Sequence, residues 1–239
     1  MGKHFNLLFT GLLCLLAIGN LPPAAAQEGF KGAWEQVNQD EKTVLLVEDG
    51  YLTYTRYNAR EFLATWGGPF HIDGKQIVVT VEFDTERPEK VRSQVAAEFD
   101  LQGDRLELAF DQAEKFWKRI DGGAAPLAGV WQITDREQGG KLVPIHRSGT
   151  RKTLKMLTGT RFQWFAIDPG TKGFSGTGGG TYTFENGKYT EHIAFFSRDN
   201  KRVGAALTFD GKLENGKWHH SGLSSKGDKI YEVWGKIKE

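Results

Sequence analysis

Two ionisable residues in the second half of the chain, Glu191 and His220, stand in stretches otherwise rich in aromatic and aliphatic residues. A carboxylate and an imidazole can transfer protons near neutral pH, and either can hydrogen-bond the polar end of a bound molecule. Burial of either group without a partner costs several kcal/mol, so each needs a partner or a wet cavity. These two residues are therefore the first candidates for a functional site.

Other kinds of site find less support. Glu191 and His192, like His219 and His220, are neighbours whose side chains point to opposite faces of a strand, so neither pair can ligate one metal ion without a bulge. A zinc site built from Glu191, His220 and a third ligand stays open as an alternative. The glycine run 176–180 precedes a strand and lacks the lysine of a phosphate loop. No Gly-x-Ser-x-Gly or His-Glu-x-x-His motif occurs, so we predict no catalytic residue, metal ion or cofactor.

The stretch that holds Glu191 predicts a β-hairpin. Asn186-Gly187 is the preferred pair for a two-residue type I′ turn, in which both central residues need positive φ. This turn pairs Tyr182 with Glu191 across the two strands. Because side chains alternate along a strand, one apolar face of the hairpin also receives the carboxylate. The residues of that face are Tyr182, Phe184, Tyr189, Glu191, Ile193 and Phe195.

A second turn, Asn215-Gly216, sets the register of the strand that carries His220. It places His220 on the same face as Trp218 and Leu213, and that face is otherwise apolar. A slip of one residue would turn every core side chain outward. Both His220 and Glu191 are therefore predicted to face the interior.

The chain is a duplication. Motifs recur in the same order in its two halves, about a hundred residues apart, which is far longer than a solenoid repeat. We predict domains at residues 27–121 and 127–239, joined by the Gly/Pro linker 122–126. The matching segments are Gly32-Ala33-Trp34 with Gly129-Val130-Trp131, Leu101–Leu106 with Leu213–Trp218, and Phe116–Ile120 with Val233–Ile237.

Each half predicts an all-β fold. Turn signals separate short runs that are rich in Val, Ile, Phe, Tyr, Trp and Thr, and no helical period of useful length occurs. Short strands in meander order close most economically into an antiparallel barrel, which removes the exposed edges. We predict two tandem antiparallel barrels, with one large barrel or sandwich shared by both halves as the alternative.

The Gly-x-Trp of the first strand and the Trp-x-Arg/Lys of the last resemble the lipocalin-type, or calycin, barrel. The second half is more specifically similar to lipocalin-like domains of secreted bacterial proteins, through Gly129-x-Trp131, Gly179–Tyr182, Lys188–Glu191 and Glu232–Trp234. The first half departs from this pattern, because Pro69 and Val79 stand at the positions that Thr181 and Glu191 take in the second half. The resemblance implies a barrel around a cavity for a small, often apolar ligand, and no particular chemistry.

Structural roles at the closed ends are expected for two tryptophan–cation pairs. Trp34 and Trp131 should lie inside their barrels near Arg119 and Lys236, whose cations can stack over the indole rings. Such a contact is worth about 0.5–2 kcal/mol, and lysine stacks less well than arginine. Trp117 and Trp234, two residues before these cations, are assigned to the same structural set.

Comparison of the two halves sharpens the candidate site. Val79 in the first half corresponds to Glu191, and Leu108 corresponds to His220, so the first barrel should have a filled apolar core. We expect the second barrel to carry the site, although a structural Glu–His or Glu–Tyr pair is the alternative. The predicted ligand-binding residues are Trp164, Tyr182, Phe184, Tyr189, Glu191, Phe209, Trp218 and His220.

Three functions are compatible with this pattern. The first is a binding protein that holds a small amphipathic or apolar ligand in the second barrel. The second is a hydrolase, isomerase or lyase that uses Glu191 and His220 as acid and base. The third is an interaction module with two filled barrels. A cavity of ligand size would distinguish the first two from the third.

Residues 1–26 predict an export signal. Lys3 supplies the positive end, 7–18 is an apolar segment too short to span a bilayer, and Ala24-Ala25-Ala26 is a small-residue cleavage site. The single cysteine, Cys14, lies inside this signal and follows Leu13, where a lipoprotein signal would want a small residue. We expect a periplasmic or extracellular protein that is cleaved near Ala26 and contains no disulfide.

The charges are divided unevenly between the halves. Residues 27–122 hold 12 Lys+Arg and 19 Asp+Glu, a net of −7, whereas residues 123–239 hold 18 and 11, a net of +7. The overall balance argues against nucleic acid as a partner, and the asymmetry predicts that the two domains dock on each other. A basic cluster in the second half is expected as solvated loops, an anion-attracting rim or part of this dock: Arg147, Arg151, Lys152, Lys155, Arg198, Lys201 and Arg202.

Overall fold

The computed structural model describes residues 23–110, 116–145, 149–224 and 227–237. Most of the predicted export signal, with Cys14, lies outside these residues, and so does Arg147. The described chain begins with one short helix, α1 (Pro23–Phe30). Among the described residues, no helix is long and apolar enough to cross a membrane.

Short strands make up the rest of the first half. They are β1 (Gly32–Asn38), β2 (Glu41–Glu48), β3 (Tyr51–Asn58), β4 (Phe62–Asp73), β5 (Gln76–Thr80), β6 (Phe83–Asp84), β7 (Gln94–Gln102), β8 (Arg105–Leu108) and β9 (Phe116–Asp121), with a 3₁₀ turn at Pro88–Lys90. The second half repeats the plan. Its strands are β10 (Gly129–Gln138), β11 (Lys141–Pro144), β12 (Lys152–Leu157), β13 (Arg161–Asp168), β14 (Gly173–Glu185), β15 (Lys188–Phe196), β16 (Ala206–Glu214), β17 (Lys217–Leu223) and β18 (Lys229–Lys236), with a 3₁₀ turn at Asn200–Arg202.

Each half closes into an antiparallel barrel. In each nine-stranded sheet, eight strands form a ring, because β3 pairs with β4 and β1 with β9 in the first, and β10 pairs with both β12 and β18 in the second. The ninth strands, β6 and β11, lie alongside β4 and β10. The predicted all-β class and the two tandem barrels are confirmed, and the alternative of one shared barrel is wrong.

The two Asn-Gly turns set the registers that the sequence predicts. Asn186 and Gly187 have φ of 51° and 74°, and Asn215 and Gly216 have φ of 51° and 72°, as a type I′ turn requires. Tyr182 pairs with Glu191, and Gly211 pairs with His220. Leu213 departs from its predicted place in the core and is 42% exposed, because it lies beside the turn at the end of the barrel.

A β-bulge near the end of the hairpin changes which residues of β15 face the interior. Gly180 pairs with Ile193 but Gly179 pairs with Phe195, so β15 gains one residue there. A Cβ on Gly180 would lie 1.9 Å from the carbonyl oxygen of His192, which explains why glycine is needed at the bulge. The prediction that Phe195 faces the interior of its own barrel is therefore wrong. It packs against Tyr57 of the first barrel, with ring centroids 5.0 Å apart.

The first barrel has a filled core, as the sequence predicts. Trp34 is fully buried, its Nε1 donates to the carbonyl oxygen of Phe30 at 2.9 Å, and the Arg119 guanidinium lies 4.0 Å from its ring centroid. Trp117 is buried beside it and donates to the carbonyl oxygen of Leu108 at 3.0 Å. The remaining buried members include Leu45, Trp66, Phe70, Ile77, Val79, Leu106 and Phe110.

The second barrel repeats the tryptophan anchor but not the stacked cation. Trp131 Nε1 donates to the carbonyl oxygen of Leu127 at 2.8 Å, which matches the bond of Trp34 in the first barrel. The Lys236 ammonium instead lies 3.5 Å from Oδ2 of Asp49, a residue of the first barrel. Among the described residues no cation lies over the Trp131 ring, so the predicted Lys236 stacking is wrong, and the acidic partner across the interface accounts for the difference.

The barrels meet through an apolar interface. Gln163 sits at its centre and hydrogen-bonds three threonine hydroxyls, those of Thr55, Thr65 and Thr177. Charged contacts lie around it, and the Lys152 ammonium is 2.7 Å from Glu82. Docking driven by the opposite net charges of the halves stays a prediction. The apolar residues that meet here include Val44, Leu46, Tyr51, Phe83, Leu154, Met156, Phe165 and Phe195.

Asp121 ties the end of the first barrel to the second. Its carboxylate accepts hydrogen bonds from the backbone N–H groups of Gly159 and Thr160 and from the hydroxyls of Thr158 and Thr160, at 2.7–2.9 Å. Burial alone would raise the pKa of this carboxyl, but the hydrogen bonds outweigh burial and lower it. The linker that follows Asp121 is thus clamped at its start.

Candidate functional site

The second barrel is filled only at the end that carries the Asn186 and Asn215 turns, called the turn end below. Aromatic rings stack there around Tyr189, whose centroid is 5.0 Å from that of Trp218 and 5.6 Å from that of Tyr182. Trp131 touches Trp218 at 6.0 Å, and Phe162 touches Tyr189 at 6.5 Å. These buried rings fill the turn end.

Above the rings, a cavity of about 260 Å³ opens toward the connection between β15 and β16. This opposite end of the barrel is called the mouth. Six of the eight ring strands, β12, β13, β15, β16, β17 and β18, contribute to the cavity wall. The lining residues are Thr153, Lys155, Trp164, Glu191, Ile193, Phe196, Arg198, Arg202, Ala205, Leu207, Phe209, His220, Ser224, Ile230, Glu232 and Trp234.

A buried ion pair forms part of the cavity floor. Lys155 Nζ lies 2.8 Å from Oε1 of Glu191, and both side chains are 6% exposed. The ammonium also lies 5.3 Å from the ring centroids of Tyr189, Trp218 and Trp234, so aromatic faces surround it. The partner that the sequence requires for Glu191 is therefore Lys155.

Lys155 was predicted within the basic cluster of loops and rim, and this placement is wrong. It lies on β12, where its neighbours Leu154 and Met156 pack into the interface with the first barrel. Alternation along the strand then turns Lys155 into the barrel. Since both faces of β12 are buried, the strand shows no polar–apolar alternation that would have identified Lys155 as an inward residue.

His220 and Glu232 form the other part of the floor. They pair across β17 and β18, and Nδ1 of His220 lies 3.5 Å from Oε2 of Glu232, which is too long for a hydrogen bond. Neither ring nitrogen of His220 has a hydrogen-bond partner among the described residues. Oε2 of Glu232 accepts the indole N–H of Trp234 at 3.2 Å, which orients both groups.

Burial lowers the pKa of His220, although Glu232 acts in the opposite direction. The imidazole is therefore neutral at pH 7. A carboxylate favours a proton on the nitrogen that faces it, so we assign the hydrogen to Nδ1. Nε2 is left as a buried acceptor without a protein donor.

The walls above the floor are aromatic and the mouth is basic. The ring of Phe209 lies 4.2 Å from that of His220, and Phe196 packs edge-on against Trp164 at 5.6 Å. The Arg198 guanidinium lies 5.5 Å from the Trp164 ring, and its Nε donates to the carbonyl oxygen of Ser175 at 2.8 Å. Arg202, also at the mouth, lies 3.5 Å from Asp199.

The predicted ligand-binding residues divide into two groups. Trp164, Glu191, Phe209 and His220 line the cavity. Tyr182, Tyr189 and Trp218 lie in the filled turn end, and Phe184 packs there against Gly211, so these four do not line it. The residues that sequence reasoning did not place in the cavity include Lys155 and Glu232, while Trp234 was assigned only a structural role. In the part of the chain that the structure describes, no three His, Cys, Asp or Glu side chains are grouped to hold a metal ion.

Comparisons with known proteins add little to this geometry. No protein-family model matches the chain, and no curated protein is significantly similar to it. A lipocalin-like protein from Bacteroides uniformis is similar at 14% identity and a TM-score of 0.34, over 47% of this chain and all of that one. The β subunit of DNA polymerase III from Thermotoga maritima gives 10% identity and a TM-score of 0.15, over 92% of this chain and 80% of that one. Likenesses at this level carry no information about a ligand or an activity.

Proposed function

We propose that the protein is a binding protein whose second barrel holds a small amphipathic molecule. The observation that carries the proposal is the cavity of about 260 Å³ with a polar floor, in which His220 keeps two ring nitrogens without a hydrogen-bond partner. Buried polar groups are normally paired, so an unpaired imidazole is unusual in a core. Beside it, Glu232 lines the cavity with a side chain that is 24% exposed and can accept a hydrogen bond from a ligand. The aromatic walls supply the apolar part of such a site.

The cavity sets the size of the ligand. Its volume of about 260 Å³ is large enough for a small ring with polar substituents. This is slightly below the range of about 300–1,000 Å³ for pockets that hold drug-sized ligands.

The two other functions are less well supported. An acid–base enzyme would need Glu191 to exchange a proton, but that carboxylate is committed to the ion pair with Lys155. An interaction module with two filled barrels does not account for the cavity. The first barrel, with its filled core, serves in our proposal as a scaffold that supports the second.

We also propose that the protein is exported and acts in the periplasm or outside the cell, on the basis of residues 1–26.

The opposite net charges of the two halves would add long-range attraction to their apolar contact, and this electrostatic attraction would weaken with salt. Electrophoresis of the two separately produced halves over a range of salt concentrations would measure it.

The experiment that tests the binding function is native mass spectrometry of the purified protein, combined with a variant that fills the cavity. Ala205 lines the mouth, so Ala205→Trp should exclude a bound molecule. Ala206 is the next residue but is exposed on the outside of β16, so Ala206→Trp is the matched control. We expect a co-purifying small molecule, or uptake of added small aromatic molecules, in the parent and the control but not in Ala205→Trp. Equal behaviour of all three proteins would contradict the proposal.

A further inference from the structure

We infer that the ligand is a small phenolic acid, which lies with its hydroxyl on the floor of the cavity and its carboxylate at the mouth. The inference rests on the binding function proposed above and adds the chemical class and orientation of the ligand. Three separate features of the cavity carry it: the acceptor on the floor, the cations at the mouth and the aromatic walls between them.

The floor selects a hydrogen-bond donor. Glu232 lines the cavity with a side chain that is 24% exposed, and its Oε2 accepts the indole N–H of Trp234, so its carboxylate is the accessible acceptor on the floor. A neutral hydroxyl can donate to such an acceptor, and a phenol keeps its proton at pH 7 because its usual pKa is about 10.

The same floor disfavours an anion. Two carboxylates, Glu191 and Glu232, face the cavity there, and only one of them is compensated by a buried ammonium. A carboxylate of the ligand placed between them would be repelled at short range in a region with little water. The anionic end of a ligand is therefore directed away from the floor.

The mouth provides the opposite environment. Arg198 and Arg202 both line the cavity at this end. Arg198 donates to the Ser175 carbonyl through Nε and lies over the Trp164 ring, and its two amino groups have no hydrogen-bond partner among the described residues. Guanidinium N–H groups in this fork bind carboxylates with two parallel hydrogen bonds.

The space between floor and mouth suits one flat ring. Phe196, Phe209 and Trp164 supply aromatic faces and edges along the wall, and stacked or edge-on aromatic contacts are favourable. The cavity volume of about 260 Å³ is large enough for one such ring with a polar group at each end. A benzene ring with a hydroxyl and a carboxylate at opposite positions has this size.

Three probes test the inference by isothermal titration calorimetry at pH 7 on the full chain. 4-Hydroxybenzoate carries both polar groups, benzoate lacks the hydroxyl, and 4-methylphenol lacks the carboxylate. We expect 4-hydroxybenzoate to bind most tightly and each of the other two to bind about tenfold more weakly, because each loses one strong hydrogen-bonding group. These comparisons need no substitution in the core.

A substitution at the mouth then tests which residue binds the carboxylate of the ligand. Arg198→Gln should weaken 4-hydroxybenzoate and benzoate about tenfold and leave 4-methylphenol unchanged. Lys201→Gln removes a positive charge from the same connection but from a residue outside the cavity wall, so it should change none of the three. Because Arg198 is exposed, its substitution should leave folding intact, and thermal unfolding of both variants checks this.

The outcomes separate the inference from the binding function. If 4-methylphenol or benzoate binds as tightly as 4-hydroxybenzoate, and Ala205→Trp abolishes their binding, the second barrel binds small molecules but the phenolic-acid inference is overturned. The inference is also overturned if Arg198→Gln and Lys201→Gln weaken 4-hydroxybenzoate equally, since the effect is then one of general charge. If none of the probes binds, the phenolic-acid inference is overturned, and the comparison of the parent with Ala205→Trp and Ala206→Trp by native mass spectrometry decides the binding function.

Discussion

The rings of Trp66 and Phe110 meet edge to face inside the first barrel, with their centroids 4.8 Å apart. In the aligned second barrel, the positions of these two residues are taken by Gly178 and Gly222. The rings of Trp164 and Phe196 lean over Gly178, where a Cβ would lie 2.7–2.8 Å from them. The same fold is thus filled in one copy and hollow in the other because two large aromatic side chains are absent.

A first prediction tests this difference by removing one aromatic ring from the filled first barrel. Phe110→Ala should create a cavity beside Trp66 and lower the free energy of unfolding by about 3–5 kcal/mol. Apolar cavities of this kind bind benzene, so saturating benzene should restore part of the lost melting temperature. Thermal unfolding with and without benzene measures both effects.

The control for this prediction is Phe116→Ala. Phe116 is 49% exposed and contacts Arg105, with the guanidinium 4.6 Å from its ring, so its loss should cost about 1 kcal/mol or less. Benzene should not change the melting temperature of this variant. A similar loss of stability in both variants would contradict the assignment of Phe110 to a packed core.

Much of this architecture could be predicted because it depends on local signals. The Asn186-Gly187 and Asn215-Gly216 turns set the strand registers directly, and the repeat of Gly-x-Trp motifs showed the duplication. The burial of Glu191 and His220 followed from those registers, since their neighbours on the same face are apolar.

The rest depended on contacts between distant residues. Lys155 follows basic residues in the sequence, and its strand is covered on the outer face by the first barrel, so no local pattern showed that it points inward. The bulge between Ile193 and Phe195 depends on the close approach of Gly180 to His192 in the neighbouring strand. Both features determine the shape and charge of the cavity, and neither can be read from a single strand.

A second prediction concerns pH and the buried Glu48 of the first barrel. Burial, reinforced by the neighbouring Asp49, raises the pKa of Glu48 to about 8. The folded protein therefore holds this proton more tightly than the unfolded chain, whose carboxyl titrates near 4.5. The contribution of protonated Glu48 to the free energy of unfolding is complete below about pH 4.5 and is lost as the pH rises to about 8.

Glu48→Gln should remove that loss. The stability gained by the variant relative to the parent should grow from about pH 4.5 to about 8 and then level off, as measured by urea unfolding at a series of pH values. Glu98→Gln, at an exposed position of β7, should show no such growth. A constant difference between Glu48→Gln and the parent over this range would contradict the proposed origin of the effect.

A third prediction concerns the clamp at Asp121. Asp121→Asn removes the charge that accepts hydrogen bonds from Thr158, Gly159 and Thr160, and should cost about 1–3 kcal/mol at pH 7. Those bonds lower the pKa of the Asp121 carboxyl. The greater stability of the parent over Asp121→Asn should therefore be lost as the pH falls through this lowered pKa. Asp73→Asn, at an exposed hairpin turn, is the control and should change stability little. Parallel pH profiles for Asp121→Asn and the parent in acid would contradict the clamp.

The last prediction concerns the buried pair of Lys155 and Glu191. In the first barrel, the register of Trp34 with Leu45 matches that of Trp131 with Lys155, so Leu45 and Val79 stand where the second barrel has the ion pair. Glu191→Val alone should cost about 3–5 kcal/mol, because it leaves the Lys155 ammonium buried without its partner. Lys155→Leu with Glu191→Val should recover most of that loss, since apolar replacement of a whole buried pair is often neutral or stabilising.

Urea unfolding of the two single variants and the double variant measures this coupling. The exposed pair of Lys188 and Asp210 provides the control, and its single variants should each change stability by about 1 kcal/mol or less. If the pair serves only to fill the barrel, the double variant should bind added small aromatic molecules as the parent does. If it shapes the floor of a ligand site, the double variant should fold normally and bind them more weakly, because the oxygen of Glu191 and the charge beside His220 are gone. Equal losses of stability in the double variant and in Glu191→Val would show that the two residues are not coupled, and would contradict the assignment of Lys155 as the partner that keeps Glu191 inside the barrel.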